Sequence, residues 1–216
     1  MKQINWSDHI LNFLAVIIGV TLAFYVSDNA NKSKQDAELE NIVQSFIDEL
    51  EEDKETYLDY QIPSNEEQSK LIGDILALIQ EKNVDSLEIK IGKALNLNSY
   101  NPAGVTFHSV VSSGKLNLFA DFNLREDISI YYQLLAAEAE ARGQLQLDFY
   151  MDQIVPWVVN NTDILNPSVD ELIKDRKLVN LLILYKSFID NKIRHYVYMA
   201  QEAEQLGNSL KELISE

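Results

Sequence analysis

The chain has 216 residues, with 18 basic and 34 acidic side chains, a net charge of −16 at pH 7 and no cysteine. The lack of cysteine excludes disulfides, thiolate catalysis, cysteine-ligated zinc and iron–sulfur clusters. A strongly negative surface repels phosphate backbones, so nucleic acid is not an expected partner.

Residues that break helices are rare, with only 7 glycines and 4 prolines in the chain. Few breaks over this length favour long helices over many short strands. The sequence therefore predicts an all-α fold, with one N-terminal transmembrane helix followed by an elongated antiparallel helical bundle.

The first predicted element is an apolar helix near the N-terminus, where Ile10 to Val26 carry no charged side chain. Extended back to Trp6, such a helix is about 31 Å long and matches a hydrocarbon core of about 30 Å. We predict a transmembrane anchor at residues 1–27 and an acidic soluble helical domain at residues 28–216. A cleaved signal peptide and a buried helix of a soluble core are the alternatives. The signal peptide is disfavoured because no small-residue cleavage pattern follows the run.

One face of this helix carries small or polar side chains at spacings of three and four. Small residues let helices approach closely in lipid, so this face is a candidate helix–helix interface in the membrane. The same residues are also common in membrane helices that make no such contact. The interface residues are Asn12, Ala15, Gly19, Ala23 and Ser27.

Two amphipathic helices are predicted next. The first carries an apolar stripe and is expected to end at Pro63, and Ser64 with Glu67 resembles a capping box that opens the second. The two stripes are Leu39, Ile42, Val43, Phe46, Ile47 and Leu50, then Leu71, Ile72, Ile75, Leu76 and Ile79. A short helix near residues 87–95 and a loop through Pro102 and Gly104 follow.

A structural turn is predicted in the middle of the chain. A short helix runs to Ser113, Gly114 caps it in the left-handed conformation, and Leu116 and Leu118 are expected to fill the core. A long helix then runs from about Asn123 to Val155, where Pro156 is expected to end it. Residues 158–167 are predicted as loop.

The last predicted helix opens at a second capping box, Ser168 with Glu171, and continues to the C-terminus. Its apolar positions follow a near-heptad course that fits either a bundle core or a coiled-coil contact between chains. These positions are Ile189, Ile193, Tyr196, Ala200, Ala203, Leu210 and Ile214.

The sequence contains no recognisable catalytic, cofactor-binding or metal-binding motif. Neither His9, His108 nor His195 has an acidic residue three positions earlier, as the Glu-x-x-His motif of di-iron bundles requires. His108 is expected to pack near the Gly114 turn, and His195 to be exposed. A phosphate loop at Gly114 fails, because Leu116 occupies the Ser/Thr position.

Several short motifs resemble a family of bacterial envelope proteins classed as a domain of unknown function. One is "GVTLAF" at 19–24, the second is Ser112–Ser113–Gly114 with Leu116 and Leu118, and the third carries a Tyr pair. The resemblance implies a helix in the inner membrane, a periplasmic domain and no catalytic residues. The third motif comprises Leu124, Arg125, Ile128, Tyr131 and Tyr132.

From these features we expect a non-enzymatic, single-pass accessory or scaffold subunit of an envelope protein complex, without a cofactor. Its expected partners are membrane lipid and other membrane subunits or a second copy of itself. A ligand-binding or sensory helical domain is the alternative, and an enzyme that uses carboxylates is a third possibility.

Overall fold

The structure is a computed structural model that describes residues 6–82, 90, 93–161 and 174–215, with side chains from residue 13 onward. Every regular element in these ranges is helical, which confirms the all-α fold. The elements are α1 (Trp6–Glu55), a first π turn (Thr56–Gln61), α2 (Ile62–Glu81), α3 (Val105–Ser112), a 3₁₀ turn (Lys115–Leu118), α4 (Phe122–Ser129), a second π turn (Ile130–Leu135), α5 (Ala136–Phe149), a third π turn (Tyr150–Ile154), α6 (Val155–Asn161) and α7 (Arg176–Ser215).

Neither Pro63 nor Pro156 ends a helix, contrary to the sequence prediction. Each lies two residues beyond the end of a π turn. The residue between still donates its backbone N–H to the carbonyl five residues back, Ile62 to Tyr57 and Val155 to Tyr150. Because a π turn already departs from the i→i−4 ladder, a proline without an N–H can follow it inside a continuing helix. The expected capping box at Ser64 and Glu67 therefore lies within a helix that starts earlier. α6 covers residues 158–161, where the sequence predicts a loop.

The long helices pack antiparallel. Ser69 on α2 donates a hydrogen bond to Asp190 on α7, and Lys54 on α1 pairs with Glu204 further along α7. α7 thus runs back along the rod formed by α1 and α2. The short helix near residues 87–95 and the capping box at Ser168 lie largely or wholly outside the described residues.

Two apolar clusters lie along this rod, and α7 contributes to both. The cluster nearer the N-terminal segment includes Val43, Phe46, Leu50, Ile128, Tyr131 and Met199. The farther cluster includes Ile72, Ile75, Trp157, Leu181, Tyr185 and Ile189. Most of the predicted stripes of α1, α2 and α7 are buried in these clusters, with Ile214 exposed. Truncating a fully buried aromatic such as Phe46 to Ala is expected to cost about 3–5 kcal/mol.

Candidate functional site

The N-terminal part of α1 projects from the bundle. Every described residue from Phe13 to Ala37 is exposed. An 18-residue window of this helix has a mean hydropathy of 1.7 and none of it is buried, so it is long and apolar enough to cross a membrane. Among the described residues, none covers this segment as a core would cover a buried helix. By length and composition, a signal sequence also fits the segment.

The small-residue face lies on this exposed segment. Ala15, Gly19, Ala23 and Ser27 are all exposed, and a Cβ added to Gly19 would meet no atom within 4 Å. Asn12 lies in α1, but its side chain is outside the described part of the structure. In the part of the bundle that the structure describes, no residue covers this face.

Further along α1, its exposed face forms one wall of a groove of about 680 Å³, and α3 forms the other. Glu49 on α1 fixes α3 in place, because its Oε1 accepts hydrogen bonds from the Thr106 N–H at 2.8 Å and the Thr106 hydroxyl at 2.7 Å. The residue that precedes α3, Gly104, has no side chain with which to cap it, so a neighbouring helix supplies the cap. The other end of the groove is held by the ion pair of Lys115 with Glu38 at 2.6 Å.

The predicted turn at Gly114 has left-handed backbone geometry, with φ of +72°. The Ser113 hydroxyl donates to the carbonyl of Ser109 at 2.7 Å, which helps to close the end of α3. Leu116 and Leu118 are only half-buried, with Leu116 packed against the core, whereas Phe119 is 1% exposed and lies within it. Phe119 directly follows the 3₁₀ turn, with an extended backbone.

A buried carboxylate lies where α1 meets the loop at residues 95–104 and the second π turn. Asp53 is 5% exposed, and it accepts hydrogen bonds from Tyr100 at 2.7 Å and Tyr131 at 2.9 Å. No basic side chain of the described residues pairs with it. Burial raises the pKa of Asp53 to about 6, although the two tyrosine hydroxyls oppose the shift.

Two more hydroxyls surround this carboxylate. That of Tyr57 is buried without a hydrogen-bond partner among the described residues, and that of Tyr132 is buried beside the Glu49 carboxylate. Burial raises the pKa of both tyrosines, and the charges of Asp53 and, for Tyr132, Glu49 raise it further. The tyrosines therefore remain neutral hydroxyls around a carboxylate that gains a proton easily.

A buried lysine supports the same loop at another point. Lys192 on α7 is fully buried and donates to the Asn98 carbonyl and to Oε1 of Gln146. Burial lowers the pKa of Lys192 to about 8. Gln68 and Tyr185 bond the carbonyl of Asn96 in the same way. These buried groups satisfy backbone atoms of a loop that has no secondary-structure partner.

Sequence reasoning missed most of this polar centre. Asp53 continues the apolar spacing of α1 between Leu50 and Tyr57, and a charged residue on a core stripe was the available signal. His195, expected to be exposed, is 6% exposed, with Nε2 3.0 Å from the Leu135 carbonyl. His108 is exposed beside Phe107, close to Gly104 rather than to the Gly114 turn.

No family model, curated protein or solved structure matches the chain. Within the described ranges there is also no group of three acidic, histidine or cysteine side chains that could hold a metal ion. The role of the site is therefore inferred from its geometry alone. The two features that need an explanation are an uncovered apolar helix and a groove on the same helix.

Proposed function

We propose that this chain is a single-pass, non-catalytic accessory or scaffold subunit of a bacterial envelope protein complex. Residues 1–27 anchor it in the inner membrane, and the acidic bundle lies on the periplasmic side.

The observation that carries the proposal is the uncovered apolar part of α1. All fourteen residues from Phe13 to Val26 are exposed, and most of them are large and apolar. The side chain of Phe24 is 73% exposed and that of Val26 is 65% exposed. Water is a poor solvent for such a surface, and lipid is a good one. The same helix then continues without interruption into the bundle, so the bundle is held rigidly relative to the anchor.

The supporting feature is that the buried ionisable groups contact the protein's own atoms. Asp53 bonds two tyrosines, Lys192 bonds a loop carbonyl and a glutamine, and His195 contacts a helix carbonyl. Such contacts favour a structural role for these groups over acid–base chemistry on a substrate.

Carbonate extraction of native membranes tests the anchor. The full-length chain is expected to stay in the pellet, with Met1 or Lys2 still at its N-terminus by mass spectrometry. Val20→Asp is expected to move it to the supernatant, because a carboxylate at the centre of a span costs about 2.5–3.5 kcal/mol. A mature chain that starts beyond Ser27 would identify a cleaved signal sequence and end the proposal.

The orientation has its own test. The natural chain has no cysteine, so Gln205→Cys gives one reporter at an exposed position of α7. We expect a membrane-impermeant maleimide to label it in spheroplasts without lysis. Labelling only after lysis would place the bundle in the cytoplasm.

A ligand-binding or sensory domain is the second candidate. It is favoured by a cavity of about 350 Å³ between residues 97–101 and α5, with Gln146, the partner of Lys192, in its wall. Specific thermal stabilisation of the purified chain by one small molecule, lost in Gln146→Leu, would support this candidate.

A further inference from the structure

The loop at residues 95–104 lies between two cavities. One, of about 350 Å³, separates residues 97–101 from α5. The other, of about 440 Å³, lies between the start of the loop and α2. In the first half of the loop, buried side chains of α2 and α7 fix the carbonyls of Asn96 and Asn98. The cavities leave the loop room to move where it is not fixed in this way.

Tyr100 holds the second half of the loop. Its backbone N–H donates to the Tyr196 hydroxyl at 2.9 Å, and its own hydroxyl donates to Asp53 at 2.7 Å. Tyr100 is only partly buried and lines the 350 Å³ cavity, whereas the other tyrosine partner of Asp53, Tyr131, is 1% exposed. The Tyr100 side chain therefore separates the buried carboxylate from solvent.

The groups that face Asp53 are acidic or neutral. On α1 itself, Glu49 and Glu52 add negative charge to the effect of burial, and both raise the pKa of Asp53. From α7 the nearest basic group is Lys192, which lies over the ring of Tyr196 at 5.9 Å and bonds other partners. The remaining groups, from the loop, the first two π turns and α7, are the hydroxyls of Tyr57, Tyr100, Tyr131, Tyr132 and Tyr196. A proton on Asp53 removes both the cost of burying its charge and the repulsion from the acids.

Tyr57 supplies an acceptor for that proton. Both carboxylate oxygens of Asp53 already accept hydrogen bonds from tyrosines, so a protonated carboxyl needs a further acceptor. Tyr57 follows Asp53 by one helical turn, is fully buried, and its hydroxyl has no partner among the described residues. The charge of Asp53 raises the pKa of Tyr57, which shows that the two groups are close. The hydroxyl oxygen of Tyr57 is therefore available to the protonated form of the carboxyl.

We propose that Asp53 is a proton switch for the loop. One proton, held between the Asp53 carboxyl and the Tyr57 hydroxyl, keeps Tyr100 docked on α1, and loss of this proton favours an open loop in which water hydrates the carboxylate. The switch adds a regulated element to the bundle, and it does not depend on the membrane anchor or on the side of the membrane where the bundle lies.

Hydrogen exchange of the full-length chain in mild detergent tests this proposal. The protection factor of the Tyr100 amide, which excludes the intrinsic pH dependence of exchange, is compared with that of Ile189 in α7 from pH 5 to pH 8. The Tyr100 value should fall by up to about 100-fold, because the pKa of Asp53 decreases by about two units when water reaches it. Since the opening is local, a low concentration of urea should accelerate exchange at Ile189 and leave Tyr100 unchanged.

Two variants separate Asp53 from other groups that titrate in this range. Asp53→Asn keeps the site neutral, so the protection of Tyr100 should be independent of pH. Asp48→Asn is the matched control, because Asp48 is an exposed carboxylate of the same helix and its loss should leave the pH dependence unchanged. A natural chain whose Tyr100 protection does not change with pH overturns the proposal. Equal urea dependence at Tyr100 and Ile189 also overturns it, since only unfolding of the whole bundle would then expose Asp53.

The position of the proton has a separate test, the titration of the Asp53 carboxyl carbon by NMR. Tyr57→Phe removes the acceptor and should lower the midpoint by about one pH unit, a tenfold change in proton affinity. Tyr131→Phe removes a donor to the carboxylate and should raise the midpoint. A midpoint in Tyr57→Phe equal to or above that of the natural chain overturns the shared proton.

Discussion

The hydroxyl of Tyr131 donates a hydrogen bond to Oδ2 of Asp53 across 2.9 Å, inside the bundle and without a basic partner among the described residues. Tyr100 donates to the other carboxylate oxygen, so one side chain of α1 joins the loop and the second π turn. The burial of this carboxylate makes the stability of the bundle depend on proton binding.

Asp53→Asn is expected to raise the thermal stability at neutral pH. The folded pKa of about 6 lies above the ordinary aspartate pKa of 3.8, so the folded state binds the proton more tightly. The contribution of Asp53 to stability is therefore highest below pH 4 and decreases as the pH rises to about 6. Above that pH the ionised group costs about 2–3 kcal/mol, at about 1.36 kcal/mol per pH unit.

The measurement is the melting temperature of both chains in mild detergent from pH 4 to pH 8. The gain of Asp53→Asn should be near zero at pH 4 and about 5–10 °C at pH 7. Tyr131→Phe removes a donor to the carboxylate and should increase the pH dependence. A melting difference that is constant across this range would contradict the buried-charge explanation.

Lys192 should show the opposite dependence on pH. Its folded pKa of about 8 lies below the ordinary lysine pKa of 10.5, so the folded state binds the proton less tightly. The folded state should therefore gain stability as the pH rises from about 8 towards 10. Compared with Lys192→Met, the natural chain should gain about 1–2 kcal/mol between pH 7 and pH 9.5. If the melting temperatures of the two chains change equally with pH over this interval, the lysine is not buried as an ammonium.

Gly114→Ala tests the turn before the 3₁₀ segment. A side chain in the left-handed region costs about 1–2 kcal/mol, so the melting temperature should fall by a few degrees. Gly207→Ala is the matched control, because a Cβ there meets nothing within 4 Å inside α7. It should stabilise the chain by up to about 1 kcal/mol through helix propensity. Equal effects at both glycines would argue against the assigned geometry.

Glu49→Ala should destabilise the groove wall, because the start of α3 loses two hydrogen bonds from Oε1. The expected loss is about 1–2 kcal/mol, similar to removal of a helix cap. Glu49→Gln keeps the oxygen acceptor and should recover most of that loss. Hydrogen exchange of the amides in residues 105–109 reports the effect locally: only the alanine variant should exchange faster.

The amino-acid sequence determined the helical fold and most of the core, because apolar spacing of three and four residues is a local property. Leu50 on α1, Ile75 on α2 and Ile189 on α7 could be assigned to the core in this way, and all three are buried. The scarcity of helix breakers and the uncharged run before Ser27 likewise follow from the chain alone.

Tertiary structure decided how the helices continue and which polar groups are buried. Pro63 and Pro156 continue their helices because the preceding π turns change the hydrogen-bond register, which no local spacing reveals. Asp53, Lys192 and His195 are buried where a loop, α5 and the second π turn, all from distant parts of the chain, supply their hydrogen-bond partners. The groove exists because Glu49 and Glu38 hold α3 and the 3₁₀ turn against α1, and contacts between residues so far apart in sequence arise only when the chain folds.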